Sequence, residues 1–394
     1  MGCFALEKEE DFSGLLSKKW EFSQELIGKD KVIPLWIADM DFTTVPEVRE
    51  ALMKRAGAGV YGYASVRKSY YEAVTAWFAK RHGWKVEEDS IVLVPGVVTA
   101  IHVAIHAFSE PGDYVLLQTP VYHPFYRTVK ETRRRLVENP LVRRSHGYAL
   151  DMENLEEKLR TYRPKIMLLC NPHNPTGRVY TEKELLEIAG LCRKYDTLVV
   201  ADEIHSDLVL GKKAHIPFFT LPEELRGKAI VCTAPSKTFN IAGLKNSNII
   251  IEDESLRKKF RDEVAYLGIP GPELFPLVAG EAAYRYGEKW LEDVLSYLRA
   301  NQLYALARLR RDLPKVWFSE PEGTYFLWLD FSAYGFSEEE LEAFMLDEAG
   351  LWLNQGYIFG KAGRGFVRLN LACGRTVLEK ALNQLTQAIR EREG

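Results

Sequence analysis

Six short apolar runs, each stopped by polar or turn-forming residues, constrain this chain more than any other feature. They are IVLVPG (91–96), YVLLQTP (114–120), KIMLLCNP (165–172), TLVVADEI (197–204), KAIVCTAP (228–235) and NSNIIIED (246–253). Continuous apolar runs rich in β-branched residues mark strands buried on both faces, because a strand with one wet face would alternate instead. Helical spacing fills the gaps between them. VVTAIHVAIHAF (97–108) follows the first run after a glycine and stops at EPGD, and TEKELLEIAGLCRKYD (181–196) reads as a capped amphipathic helix. Strand, tight turn and helix in alternation predict an α/β fold with a mostly parallel sheet covered on both faces. At 394 residues the chain exceeds one ordinary core, so a large domain with a smaller companion is expected. A long helical stretch from about Pro272 leads into the strand-like EGTYFLWLDF (322–331) and GRGFVRLNLACG (363–374), which supply the smaller domain.

Composition narrows the function. A net charge of −3, with 46% apolar and 27% charged residues, gives no polyanion-binding surface, so nucleic acid is not an expected partner. The N-terminal MGCFALEKEEDFSGLL has no sustained apolar core, so neither a secretory signal nor a membrane span is expected. Gly2 follows Met1 as in myristoylation, but Leu6 stands where that motif wants Ser or Thr. Cys3, Cys170, Cys192, Cys232 and Cys373 are odd in number and lack CxxC spacing, which supports neither a disulfide framework nor a zinc knuckle. A reducing cytoplasm fits these cysteines.

Ligands of open α/β sheets bind beyond the carboxyl ends of the strands. Chemistry-bearing residues stand at those ends: Gly96, Tyr122, Asn171 to Asn174, Asp202 with His205, and Ser236 with Lys237. A lysine amine, an aspartate, an asparagine, an aromatic ring and a glycine-turn helix N-terminus suit an aldehyde cofactor that carries a phosphate. The amine forms a Schiff base with the aldehyde. The carboxylate keeps a ring nitrogen protonated, the aromatic face stacks, and the helix N-terminus takes the phosphate. That cofactor is pyridoxal phosphate.

With these residues in view, the chain resembles the fold-type-I pyridoxal-phosphate enzymes, and within them the MalY/PatB-type cystathionine β-lyase group of the aminotransferase class I/II superfamily. The resemblance runs through PLWIADMDF (34–42), YGY (61–63), TPVYHPFY (119–126), LLCNPHNPTG (168–177), ADEIHSD (201–207), SKTFNIAGL (236–244) and GRGFVRLN (363–370). It implies an aspartate-aminotransferase-like fold, with a mostly parallel seven-stranded sheet in a large domain over 45–285. A smaller α+β domain would be formed by 1–44 and 286–394. It implies that Lys237 bonds the cofactor aldehyde and acts in catalysis, and that Asp202 partners the ring nitrogen. Asn174 would donate to the ring hydroxyl oxygen and touch the substrate, and Tyr122 would stack on the ring. Gly96, Val97 and Val98 would offer backbone amides to the phosphate, joined by Lys245 and by Tyr63 from the other subunit of a homodimer. Arg368 would clamp the substrate carboxylate, a task suited to guanidinium geometry, with Ala38 also at the substrate.

Two positions depart from relatives. His205 stands where aminotransferases place a tyrosine, which favours the β-lyase branch. Ala234 stands where many relatives have a phosphate-binding serine, leaving Ser236 or Thr233 to compensate.

Plain readings exist for several of these residues. Lys245 alone reads as a solvated lysine, His205 as a polar residue at a strand end, Tyr122 as packing and Arg368 as a strand residue facing solvent. Other motifs fail on context. Gly57, Gly59 and Gly62 spell GxGxxG after a helical segment rather than a strand, and Ser65 to Lys68 spell SxxK without the rest of the penicillin-binding set. His102 and His106 share a helix face with no third ligand, so no metal site is expected and both read as core or cleft-lining histidines. Three functions follow. The first is a carbon–sulfur β-lyase acting on L-cystathionine or related cysteine S-conjugates; the others are an aminotransferase on the same fold and a regulatory protein acting by protein contact.

Overall fold

A computed structural model describes residues 11–394. Gly2, Cys3 and Leu6 therefore lie outside the described residues. The apolar runs form a seven-stranded sheet from β1 (Ile91–Val94), β2 (Tyr114–Thr119), β3 (Arg135–Pro140), β4 (Ile166–Cys170), β5 (Leu198–Asp202), β6 (Ala229–Thr233) and β7 (Ser247–Ile250). Their spatial order is β1-β7-β6-β5-β4-β2-β3. Only β7 runs against its neighbours, pairing antiparallel with both β1 and β6. Every residue of β4 and β6 is buried, as expected of strands covered on both faces.

The edge strand β3, RLVENP, was not among the six runs. Its side chains alternate between exposed and buried, so it lacks a continuous apolar run. The helix Val97–Phe108 begins directly after Gly96, and Glu182–Lys194 begins in a capping box between Thr181 and Glu184. The helical stretch after Pro272 is two helices, Leu274–Tyr286 and Glu288–Asp312, parted at Gly287. His102 and His106 are a correction: they lie at the helix surface rather than in a core, 3.4 Å from Glu131 and 3.4 Å from Glu263 respectively.

A second, antiparallel sheet holds β8 (Trp317–Ser319), β9 (Phe326–Asp330), β10 (Asn354–Gln355) and β11 (Phe366–Asn370), in the order β8-β9-β11-β10. It shares a core with Ile33 and Leu35 near the N-terminus and with the C-terminal helix Arg375–Glu393. Ile33–Pro34 pairs in parallel with Leu351–Trp352, which ties the early chain to this sheet. The long helix serves both cores. Leu291 to Leu298 pack in the first, and Ala305, Leu306 and Leu309 in the second.

Candidate active site

The registers of the large sheet bring its functional ends to one edge. Ser247 opposes Val94, Asn248 opposes Thr233, and Asp202 opposes both Cys232 and Cys170. Four strand spacings, about 19 Å, therefore span the edge from the Gly96 turn to the Asn171 turn. Because β7 is antiparallel, its leading end reaches the same edge. Lys245, just before it, lines a cleft with Val94 and Pro95. Gly96 caps the helix Val97–Phe108 at φ 97°, with no side-chain cap on the first turn and open space where a Cβ would stand. That leaves the amides of Val97 and Val98 available to an anion.

The turn Pro235–Thr238 after β6 presents Lys237. The Lys237 Nζ donates to the Ala38 carbonyl at 2.8 Å, and the same oxygen accepts from the Tyr325 hydroxyl at 2.9 Å. Burial pushes the Lys237 pKa down, while the charges of Asp39 and Asp202 oppose that shift. Asp202 is buried at the end of β5, and burial pushes its carboxyl up to about 7. Its Oδ1 accepts from the Ile204 amide at 3.1 Å. His205 is also buried, its pKa lowered to about 3 by burial and by the charges of Lys237 and Arg368, and its Nδ1 has no partner among the described residues. Its ring meets those of Tyr325 and Phe326 edge-on.

Arg368, on β11, is 2% exposed. Its two terminal nitrogens donate to Asn174 Oδ1 at 2.8 Å and to the Trp36 carbonyl at 2.8 Å, while Nε has no partner among the described residues. The rings of Phe326 and Phe359 stand 4.0 Å and 5.1 Å from the guanidinium. Burial lowers its pKa to about 10, and no carboxylate lies within ion-pair distance among the described residues. Tyr122 heads the helix His123–Glu131, and its hydroxyl, raised by burial, feels Arg368 and Asp202. Lys237, Asp202, Asn174, Tyr122, His205, Ala38 and Arg368 are thus joined by hydrogen bonds and by mutual charge effects into one cluster.

Three residues stand apart from that cluster. Ser236 is buried beside Lys237, and among the described residues no side-chain bond commits its hydroxyl; Thr233 by contrast spends its donor on the Asn248 carbonyl at 2.9 Å. Lys245 is exposed at the Gly96 end. Tyr63 is fully exposed and meets none of the others within this chain.

The sequence reading missed the clamp around the loop 36–42. Asn370 Nδ2 donates to the Ile37 and Asp39 carbonyls, Asn240 Nδ2 to those of Met40 and Phe42, and Asn354 Nδ2 to that of Trp36. These asparagines come from distant parts of the chain, so no local spacing announces them.

Comparison with known proteins bears on this geometry. The family described as aminotransferase class I and II matches residues 30–385. The chain belongs to that family. It is 43% identical to the cystathionine β-lyase PatB of Bacillus subtilis, over 97% of this chain and 99% of that protein. It is 34% identical to the protein MalY of Escherichia coli, over 98% and 99%. The solved structure of cystalysin from Treponema denticola, which contains pyridoxal 5′-phosphate, superposes with a TM-score of 0.93 at 35% identity over 98% of each chain. The family's fold, a mostly parallel seven-stranded sheet flanked by helices, is the one described above.

Proposed function

We propose that this chain is a pyridoxal-phosphate-dependent carbon–sulfur β-lyase that converts L-cystathionine or a related cysteine S-conjugate, with water, to a thiol, pyruvate and ammonia. The observation that carries the reading is the buried Arg368 guanidinium. It has no carboxylate partner among the described residues, and its charge acts on the Lys237 amine. A site of that kind takes an amino acid by its carboxylate and works at its Cα. The branch toward elimination is supported by the likeness to PatB and cystalysin and by His205 in place of a tyrosine.

The residues fit the cofactor. A buried carboxylate pushed up to about 7 by burial has no ion pair among the described residues, only the opposing charge of Lys237, and a protonated ring nitrogen against Asp202 would supply one. The uncapped first turn at Gly96, with Lys245 beside Pro95, offers donors for a phosphate, and Ser236 offers a hydroxyl. Tyr122 would cover the ring and Asn174 would bond its hydroxyl oxygen. Bound there, pyridoxal phosphate supplies an aldehyde for the amine and a ring that accepts the electron pair left at Cα. Lys237 Nζ then takes the Cα proton, its basicity set by the lowered pKa. Arg368 holds the substrate carboxylate, and Ala38, through its carbonyl, orients the lysine amine. The sulfur leaves Cβ with its bonding pair and is protonated to the thiol.

The same proposal includes a homodimer in which Tyr63 completes the partner's phosphate site. Its complete exposure, with the partial exposure of Val60 and Tyr61 nearby, supports this. Mixing inactive Tyr63 and Lys237 variants should restore activity, and failure despite proven subunit exchange would count against it. We also propose the division into a domain of 45–285 and one of 1–44 with 286–394, supported by the core around the second sheet, whose buried residues all lie in 33–35 and 305–389, whereas Met40, Phe42 and Leu291 to Leu298 cross the boundary to pack in the first core. A cytoplasmic setting is supported by four buried, unpaired cysteines. No helix among the described residues is long and apolar enough to cross a membrane.

Thiol release from L-cystathionine, followed with and without an added 2-oxo acid, tests the reaction class. Equal rates that vanish in Lys237→Ala are expected. No thiol under either condition, with the amino group passed to the 2-oxo acid, would replace the lyase reading with transamination.

A further inference from the structure

Two side chains share the Ala38 carbonyl oxygen. Lys237 Nζ donates to it at 2.8 Å and the Tyr325 hydroxyl at 2.9 Å, and no other donor reaches it among the described residues. A carbonyl oxygen offers two lone pairs, so the tyrosine holds one and leaves the other to the amine. The oxygen itself is fixed. Asn370 Nδ2 takes the carbonyls on either side of it, that of Ile37 at 2.8 Å and that of Asp39 at 2.7 Å.

Tyr325 is held as firmly. It is 1% exposed, and its hydroxyl makes that single bond among the described residues. The ring packs against Phe326 at 4.7 Å and His205 at 5.9 Å, and the Phe326 ring in turn stands 4.0 Å from the Arg368 guanidinium. The backbone that aims this side chain is strained: Thr324, just before it, is fully buried at φ 65°. A β-branched residue in that region is a costly outlier, which persists only where its surroundings over-determine it. Here the Thr324 amide donates to the Leu208 carbonyl at 2.8 Å, and the Tyr325 carbonyl accepts from the amide of Leu371, the residue after β11, at 2.8 Å. Strain is thus held beside a side chain whose one polar contact is the oxygen that also holds the reacting amine.

We propose that Tyr325 is a positioning residue for proton transfer: by occupying one lone pair of the Ala38 carbonyl, it confines the free Lys237 amine to the other and sets the line along which that amine meets the Cα of a bound amino acid. The inference rests on Lys237 as the base of the proposed reaction, in a step that β-elimination and transamination share. Without the hydroxyl the amine can bond on either side of the oxygen, and only one direction can be the line to Cα. The proton passes from Cα to Lys237 Nζ and its bonding pair stays behind, so Tyr325 itself gains and loses no proton.

Tyr325→Phe tests this, because phenylalanine keeps the ring contacts and removes only the hydroxyl. The first reading is exchange of the Cα hydrogen of L-alanine with deuterium oxide, followed by NMR on the holoenzyme; alanine carries no leaving group, so the step is isolated. Exchange at saturating alanine should fall about tenfold to a hundredfold, the effect of a misplacement of about 1 Å. The half-saturating alanine concentration and the melting temperature should stay near those of the parent. An unchanged exchange rate would overturn the proposal. So would a loss that more alanine makes good, which would assign the hydroxyl to substrate binding, or a melting temperature far below the parent's, which would assign it to the fold. The second reading needs no turnover. Crystal structures of the two cofactor-free proteins should show the Lys237 amine of the variant displaced, or spread over both sides of the Ala38 oxygen, and an amine left in its one place would overturn the confinement. Alanine exchange that depends on Tyr325, without pyruvate release from L-cystathionine, would support the positioning and sink the lyase reading. Pyruvate release with alanine exchange indifferent to Tyr325 would do the reverse.

Discussion

Replacing Arg368 by methionine should nearly abolish activity without weakening the fold. The guanidinium is buried between Phe326 and Phe359 and, among the described residues, has no carboxylate partner and an unpartnered Nε. Methionine fills similar volume against the same rings and carries no charge. Its cost is the loss of two bonds, which strands Asn174 Oδ1 and the Trp36 carbonyl at roughly 1–3 kcal/mol each. Against this stands the desolvation of an unpaired buried charge, an effective penalty of several kcal/mol. The two sums are of the same size, so the melting temperature should stay within about 3 °C of the parent or rise. Binding behaves differently. Two charge-assisted bonds to a substrate carboxylate at about 1.5 kcal/mol or more each total about 3 kcal/mol, so kcat/KM should fall at least a hundredfold. Scanning calorimetry at one fixed rate, with steady-state kinetics on the same preparation, reads both quantities. A variant that melts far below the parent would show that the guanidinium serves the fold. Retained kcat/KM would remove it from substrate binding.

In the cofactor-free protein, burial raises the Asp202 pKa to about 7, above an ordinary carboxylate near 4. The folded state then holds a proton that the unfolded state has lost, so this group's contribution to stability falls as pH rises from about 4 to 7 and is level above that. Asp202→Asn should therefore flatten the decline in melting temperature between pH 5 and 8, and an unaltered slope would contradict the assignment. Burial alone would raise the Asp207 pKa, but bonds from His82 at 2.8 Å and Thr238 at 2.8 Å hold it below the ordinary range. Asp207→Asn breaks a buried network that includes Thr238, the residue after Lys237, and should cost about 3–5 kcal/mol in denaturant unfolding, whereas a change under about 1 kcal/mol would show the network to be dispensable. Gly177 has φ 72°, and a Cβ there would meet Pro321 Cβ and lie 2.8 Å from its Cα. Gly177→Ala should destabilise by about 1–3 kcal/mol, and an unchanged midpoint would show that this contact yields freely.

The parts of the fold that were legible in the sequence are those where one segment carries its own signal. β4 and β6 are buried on both faces and read as continuous apolar runs, and the capping box at Thr181 and Glu184 announces its helix. β3 escaped because an edge strand with alternating burial needs no such run. The direction of β7 was equally silent, since a strand's sequence carries no sign of whether its neighbours run with it. That direction is what brings Lys245 to the Gly96 end of the sheet.

Within the cleft, Asp202 and Lys237 were visible because each directly follows or ends an apolar run. Arg368 was visible only by resemblance: on β11 it reads like any strand arginine, and its burial against Asn174 is a product of tertiary packing. The asparagine clamp on the loop 36–42 depends on contacts between segments some 200 to 330 positions apart. No spacing rule reaches that far.

The most direct test of the central claim is the stoichiometry of pyruvate and thiol from L-cystathionine, measured over many turnovers by purified, cofactor-loaded protein with no 2-oxo acid present. One pyruvate per thiol, sustained well past one equivalent of enzyme and lost in Lys237→Ala, is the predicted result. Thiol and pyruvate that stay below one equivalent, with turnover appearing only when a 2-oxo acid is added, would contradict the lyase assignment.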